Sequence, residues 1–157
     1  MIWKSTNGMY VEMTEGVFTS IMEYVLSRKR GETGGILIGN YSDDLSTATI
    51  LSASGPGPRS LFGLFSFTRR PIGLQAELDE EFISGRYYLG EWHCHPGTNC
   101  TPSFQDIRQM QAISRSPSYN CPEPILIVFG RSSPYDFNSA SIVKGNGVVK
   151  LERVSSG

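Results

Sequence analysis

The sequence predicts an α/β fold, a mixed β-sheet flanked by helices in a single domain spanning residues 1–157. Three observations lead there. Short apolar runs rich in β-branched residues, such as Ile36-Leu37-Ile38 and Ile125-Leu126-Ile127-Val128-Phe129, alternate with stretches of helical period. No internal repeat or low-complexity tract interrupts them. A length of 157 residues suits one core of ordinary size.

In chain order, residues 14–29 place Val17, Phe18, Ile21, Met22, Val25 and Leu26 at helical spacing and predict a helix ending near Gly31. Arg28-Lys29-Arg30 then reads as a solvated basic helix end that suits the dipole. Ile36-Leu37-Ile38-Gly39 reads as a short buried strand, paired with Thr47-Ala48-Thr49-Ile50-Leu51 across a Ser42-Asp43-Asp44 turn. Gly34 and Gly35 let the backbone run close to its neighbours and bring Glu32 toward a pocket. Residues 55–67 are rich in Gly and Pro, yet carry Leu61, Phe62, Leu64, Phe65 and Phe67. These side chains either finish the core or form a flap that pairs with an extended substrate tail by strand addition. A second helix is expected over residues 71–84, opened by a proline. The aromatic, extended stretch 85–93 predicts a strand running into His93, ended by Pro96 and the Gly97-Thr98-Asn99 turn. Thr101-Pro102-Ser103 opens a helix over residues 103–114, with Phe104, Ile107, Met110 and Ile113 expected on its packed face. Ile125-Leu126-Ile127-Val128-Phe129 is predicted as the central strand. Two closing strands, near 139–143 and 148–153, turn at Lys144-Gly145-Asn146-Gly147.

Both histidines of the chain fall in one pattern, His93-x-His95 followed by Ser103-x-x-Asp106. Residues at i and i+2 of a strand share a face, so the two imidazoles converge while Cys94 points away. Asp106 falls in the first turn of the following helix, where the dipole favours a carboxylate. Two nitrogens and one oxygen with an open fourth position suit catalytic rather than structural zinc. Such an ion lowers the pKa of bound water to roughly 7 and polarises a carbonyl. A carboxylate must then move the proton, and a hydroxyl can steady the oxyanion. Ser103 suits the latter role by its place between His95 and Asp106, and it also suits a helix cap. Glu91 shares the strand face of His93 and stays open as an alternative ligand or as support for one. Three other chemistries stay open too. A non-haem iron enzyme uses the same two-histidine, one-carboxylate set. A binding scaffold would hold the metal structurally or lack it. A thiol protease would need Cys94, which should face away from the pocket, while Cys100, nearer the helix entrance, stays open to a redox or ligand role.

The residues Glu32-Thr33-Gly34-Gly35-Ile36-Leu37-Ile38-Gly39, His93-x-His95-Pro96 and Ser103-x-x-Asp106 resemble the JAMM (MPN/Mov34) metalloproteases. The resemblance implies that family's layered α/β fold. It implies His93, His95 and Asp106 as ligands of one Zn²⁺, Glu32 as general acid/base, and Ser103 as the oxyanion-stabilising hydroxyl. In that family the insertion corresponding to the Leu61, Phe62 and Phe65 flap clamps the substrate tail. Cys94 departs from the hydroxyl or small residue common between the histidines. The Gly55-Pro56-Gly57-Pro58 loop and Tyr88-Leu89-Gly90-Glu91-Trp92-His93 look similar to the deconjugating peptidases of bacterial antiphage (CBASS) operons. That likeness implies cleavage of the amide bond after the C-terminal tail of a ubiquitin-like or cyclic-nucleotide-synthase conjugate. It also implies ubiquitin-activating-like and conjugating-like machinery in the same pathway.

Composition narrows the setting. A net charge of −1 gives no general attraction to nucleic acid or anionic membrane. Three cysteines, Cys94, Cys100 and Cys121, make a poor disulfide framework and favour a reducing, cytoplasmic compartment. No apolar run reaches about 18 residues and no signal-peptide pattern opens the chain.

Overall fold

The computed structural model describes residues 1–28, 30–55 and 85–155. Their strands are β1 (Ile2–Lys4), β2 (Tyr10–Met13), β3 (Thr33–Tyr41), β4 (Thr47–Ala53), β5 (Tyr87–His95), β6 (Ile125–Gly130), β7 (Asn138–Lys144) and β8 (Gly147–Arg153). Helix α1 (Glu15–Ser27) joins β2 to β3, and α2 (Phe104–Arg115) joins β5 to β6. The α/β class, the mixed sheet and the helices on its faces are as expected. The sheet, however, closes into a barrel in the order β1-β2-β4-β3-β5-β6-β7-β8, with β8 returning to β1. Closure depends on β1 and β2, two short strands that no local pattern announces. β2·β4 and β5·β6 are parallel and the other pairs antiparallel. The expected helix over 71–84 and the Leu61, Phe62, Phe65 flap lie outside the described residues.

Period two sorts the strand side chains into two apolar layers. One holds Trp3, Leu37, Trp92, Ile125, Ile127 and Phe129 together with Val17, Ile21 and Val25 of α1. The other holds Ile36, Ile38, Tyr88, Leu126 and Val128 together with Met110 and Ile113 of α2. β6 serves both layers and is buried along its whole length, as its unbroken apolar run requires. Each such side chain is worth roughly 1.5–3 kcal/mol when fully buried. A strand apolar on both faces therefore sits between the two helical layers rather than at a rim.

Two helix residues depart from the expected stripes. Leu26 is 78% exposed and Phe104 is 79% exposed. Nine residues separate Phe104 from Ile113, about two and a half turns at 3.6 residues per turn, so the two lie on opposite sides of α2. Its buried face is Asp106, Gln109, Met110 and Ile113, half polar, because it covers a site as well as a core. Each helix opens on a hydroxyl cap. Thr14 Oγ1 accepts from Val17 N at 3.2 Å, and Ser103 Oγ accepts from Asp106 N at 3.0 Å.

A bulge sets the phase of β5. Opposite β3, Leu37 pairs with Gly90 but Ile38 pairs with Tyr88, leaving Leu89 as an extra residue. The slip puts Tyr88 on the α2 face and Leu89 in the α1 layer, and it leaves Trp92 and Cys94 in the α1 layer too. Glu91, His93 and His95 consequently face α2. Gly90 sits at the slip with φ 154°, where an added Cβ would lie 1.8 Å from the carbonyl oxygen of Ile125. No helix among the described residues is long and apolar enough to cross a membrane.

Candidate metal centre

The end of β5 and the first turn of α2 bring His93, His95 and Asp106 together, each 3% exposed. His93 Nδ1 lies 3.0 Å from Asp106 Oδ1, and His95 Nε2 lies 3.2 Å from Asp106 Oδ2. One nitrogen or oxygen from each of the three lies within 4.8 Å of the others. The second contact is close in distance but not aligned as a hydrogen bond, so among the described residues the buried His95 Nε2 has no hydrogen-bond partner. Buried polar atoms are rarely left so, and an orphaned imidazole nitrogen beside a carboxylate suits a metal ligand.

The electrostatics also favour a cation here. Burial would lower the pKa of His93, but its hydrogen bonds to Asp106 and Glu91 outweigh burial and push it up to about 9. Burial would raise the pKa of Asp106, yet the neighbouring imidazoles and the Ser103 N–H hold its carboxyl well below the usual range. Two carboxylates thus frame His93 and stabilise positive charge between them.

Glu91 reaches the far side of the His93 ring, its Oε2 3.2 Å from Nε2, and accepts from Gln109 Nε2 at 3.3 Å. With Glu91 on Nε2 and Asp106 on Nδ1, the ring presents Nδ1 toward the same carboxylate that His95 faces. The sequence reading missed Gln109, although its spacing of three residues from Asp106 puts both on one helix face.

Glu32 stands immediately before β3, with Oε1 3.9 Å from His95 Nε2 and its side chain 53% exposed. The β3·β5 pairing delivers it, matching Thr33 to Cys94 and Gly34 to His93. A Cβ on Gly34 would lie 2.6 Å from the Trp92 carbonyl oxygen and 3.1 Å from His93 Cδ2, so only glycine admits this approach. Ser103 closes the group. Its Oγ caps α2, and its N–H donates to Asp106 Oδ2 at 2.7 Å, a reciprocal pair that ties the helix start to the carboxylate.

Cys94 is fully buried in the α1 layer, away from this pocket, and burial pushes its thiol up to about 11. A thiol so placed is a poor nucleophile, which removes the reading of Cys94 as a protease nucleophile.

Residues 14–143 match the family described as prokaryotic homologs of the JAB domain. The chain belongs to that family. Over 125 residues it is 40% identical to a CD-NTase/cGAS isopeptidase of Enterobacter hormaechei, covering 78% of this chain and 69% of the relative. Over 101 residues it is 35% identical to a probable metalloprotease of Sinorhizobium fredii, covering 62% of this chain and 61% of that protein. Two solved structures share the fold. A Desulfitobacterium hafniense protein superposes with a TM-score of 0.63 at 16% identity, covering 92% of this chain and 91% of the other. A JAB1/MPN domain protein from Archaeoglobus fulgidus gives a TM-score of 0.51 at 18% identity, covering 90% and 94%. As a JAB-family member the protein is a hydrolase of the peptidase class, with a metal implied by its relatives and by the His-His-Asp cluster. Hydrolysis is thereby favoured over the non-haem iron and scaffold readings.

Proposed function

We propose that this JAB-family peptidase is a zinc-dependent isopeptidase, with His93 Nδ1, His95 Nε2 and an Asp106 oxygen as the ligands. The observation that carries the reading is the meeting of those three buried groups with Glu32, whose carboxylate is 3.9 Å from His95 yet half exposed. Zinc, when bound, supplies Lewis-acid activation of water and of the scissile carbonyl. Glu32 takes the proton from the attacking water and returns it to the leaving nitrogen. Its exposure suits a group that must meet both water and substrate. Ser103 uses a lone pair to cap α2, and its hydroxyl proton donates to the developing oxyanion. Glu91, supported by Gln109, holds His93 in the ring orientation the metal requires.

The substrate is the amide bond that follows the C-terminal tail of a conjugated protein, either ubiquitin-like or a CD-NTase. The 40% identical relative named a CD-NTase/cGAS isopeptidase supports the second, as does the resemblance to deconjugating peptidases of antiphage operons. The activating-like and conjugating-like partners and a cytoplasmic setting belong to the same proposal. The test is metal analysis of the purified protein, paired with cleavage of a fusion carrying a CD-NTase C-terminal tail ahead of the scissile bond. One equivalent of zinc with cleavage at that junction is expected. Iron in its place, or no metal, would sink the reading, and zinc without cleavage would sink the substrate assignment.

Ser103→Ala should keep its zinc while turnover falls about 10²–10³-fold, the scale of losing one oxyanion donor. Loss of the cap should lower stability by about 1 kcal/mol. Zinc content, kcat and thermal denaturation of one preparation check this. Loss of the metal instead would recast Ser103 as an organiser of Asp106.

A further inference from the structure

We propose that Arg131 is the positioning residue for Glu32, clamping the loop that carries this carboxylate to the strand that carries the histidines. The inference rests on the assignment of Glu32 as the acid/base and extends it to how that group is held. Glu32 belongs to neither α1 nor β3, and among the described residues its carboxylate makes no hydrogen bond. Its backbone therefore decides where the carboxylate stands. On one side Thr33 is fixed by pairing with Cys94. On the other side lies Gly31, with φ 78°, whose carbonyl accepts from Arg131 Nη2 at 2.7 Å.

The same guanidinium donates through Nη1 to the Val25 carbonyl at 2.9 Å and to the Arg28 carbonyl. Carbonyls at a helix end need outside donors and attract positive charge. α1 has no basic residue in its last turn and Arg28 follows only as its C-cap, so Arg131 brings a further cation to these carbonyls from a distant part of the chain. Its planar fork reaches three carbonyls at once, which an ammonium cannot copy. The main chain of Arg131 makes the other half of the clamp. Its N–H donates to the His95 carbonyl at 2.9 Å, continuing the β5·β6 ladder past the pair His95 and Gly130. One residue is thus bonded to both the base loop and the ligand strand.

A simple helix cap would also use these carbonyls, so the test must separate the two roles. Arg131→Ala, Glu32→Gln and the double variant are compared as zinc-loaded protein, with Arg131→Lys as the milder change should Arg131→Ala fail to fold. Arg131→Ala should keep one equivalent of zinc and lose about tenfold to a hundredfold in kcat, the scale of a misplaced catalytic group, with little change in KM. Millimolar guanidinium ion should restore part of that loss. The double variant should be no slower than Glu32→Gln, because the clamp acts only through Glu32. Limited trypsin digestion gives a readout independent of activity, with faster cleavage after Arg28 or Arg30 in Arg131→Ala. Lower thermal stability with unchanged kcat would reduce Arg131 to a cap and overturn the proposal. So would an equal further loss on the Glu32→Gln background. If Glu32→Gln itself keeps turnover, the base assignment fails instead, and the digestion rate still decides whether the clamp exists.

Discussion

Replacing Asp106 by alanine is expected to remove the metal, the activity and part of the anchoring of α2 in one step. This side chain serves both sides of the centre. Oδ1 meets His93 Nδ1 at 3.0 Å, while Oδ2 lies 3.2 Å from His95 Nε2 and accepts from the Ser103 N–H at 2.7 Å. At 3% exposure, water does not replace it. Two imidazoles alone form too poor a set for zinc, which in catalytic sites takes three protein ligands. Zinc should fall from about one equivalent to near zero after dialysis, and turnover with it. Loss of the buried acceptor should also destabilise the metal-free fold by about 1–3 kcal/mol. Asp106→Asn separates the effects, since its amide oxygen can still accept from Ser103. It should recover most of the stability in chemical denaturation and little of the zinc. Full zinc occupancy in Asp106→Ala would end the ligand assignment.

The second large effect is expected at Glu32. Glu32→Gln keeps the shape of the side chain but cannot take a proton from water. Because its carboxylate stands 3.9 Å from His95 and outside the ligand cluster, zinc content should be unchanged. The loss should fall on kcat, by about 10²–10⁴-fold, the usual range for a positioned acid/base. KM should move little, since the group acts on the proton rather than on substrate binding. Single-turnover cleavage of the tail fusion, with zinc measured on the same sample, checks both points. Activity within about tenfold of the parent would transfer the role elsewhere. Glu91 would be a poor heir, because it is already committed to His93 Nε2 and Gln109.

The candidate site was legible to the extent that it is local. His93 and His95 share a strand face because side chains alternate with period two, whatever the strand pairs with. Asp106 and Ser103 belong to one helix start, where hydroxyl cap and N3 carboxylate recognise each other within four residues. Strands with strong β-branched runs, β3, β4 and β6, were legible for the same reason, as was the turn between β7 and β8. Phe104 misled because a three-residue step drifts around a helix of 3.6 residues per turn. β1 and β2 were missed because three or four residues carry too little pattern to stand out.

By itself, then, the sequence determined which groups are candidates to bind a metal and move a proton, His93, His95, Asp106 and Glu32, and which short segments present them. It also determined the α/β class, since periodicity and turn chemistry act over a few residues. The tertiary structure alone decided which way those groups face and what holds them. The bulge at Leu89 turns Glu91, His93 and His95 toward α2, and it exists only in the pairing of β5 with β3. Barrel closure joins Trp3 to Arg153, and the guanidinium of Arg131 meets Gly31 across 100 residues of chain. Such contacts depend on strand register and on donors arriving from distant segments. No local period encodes them, because their partners meet only once the chain has folded.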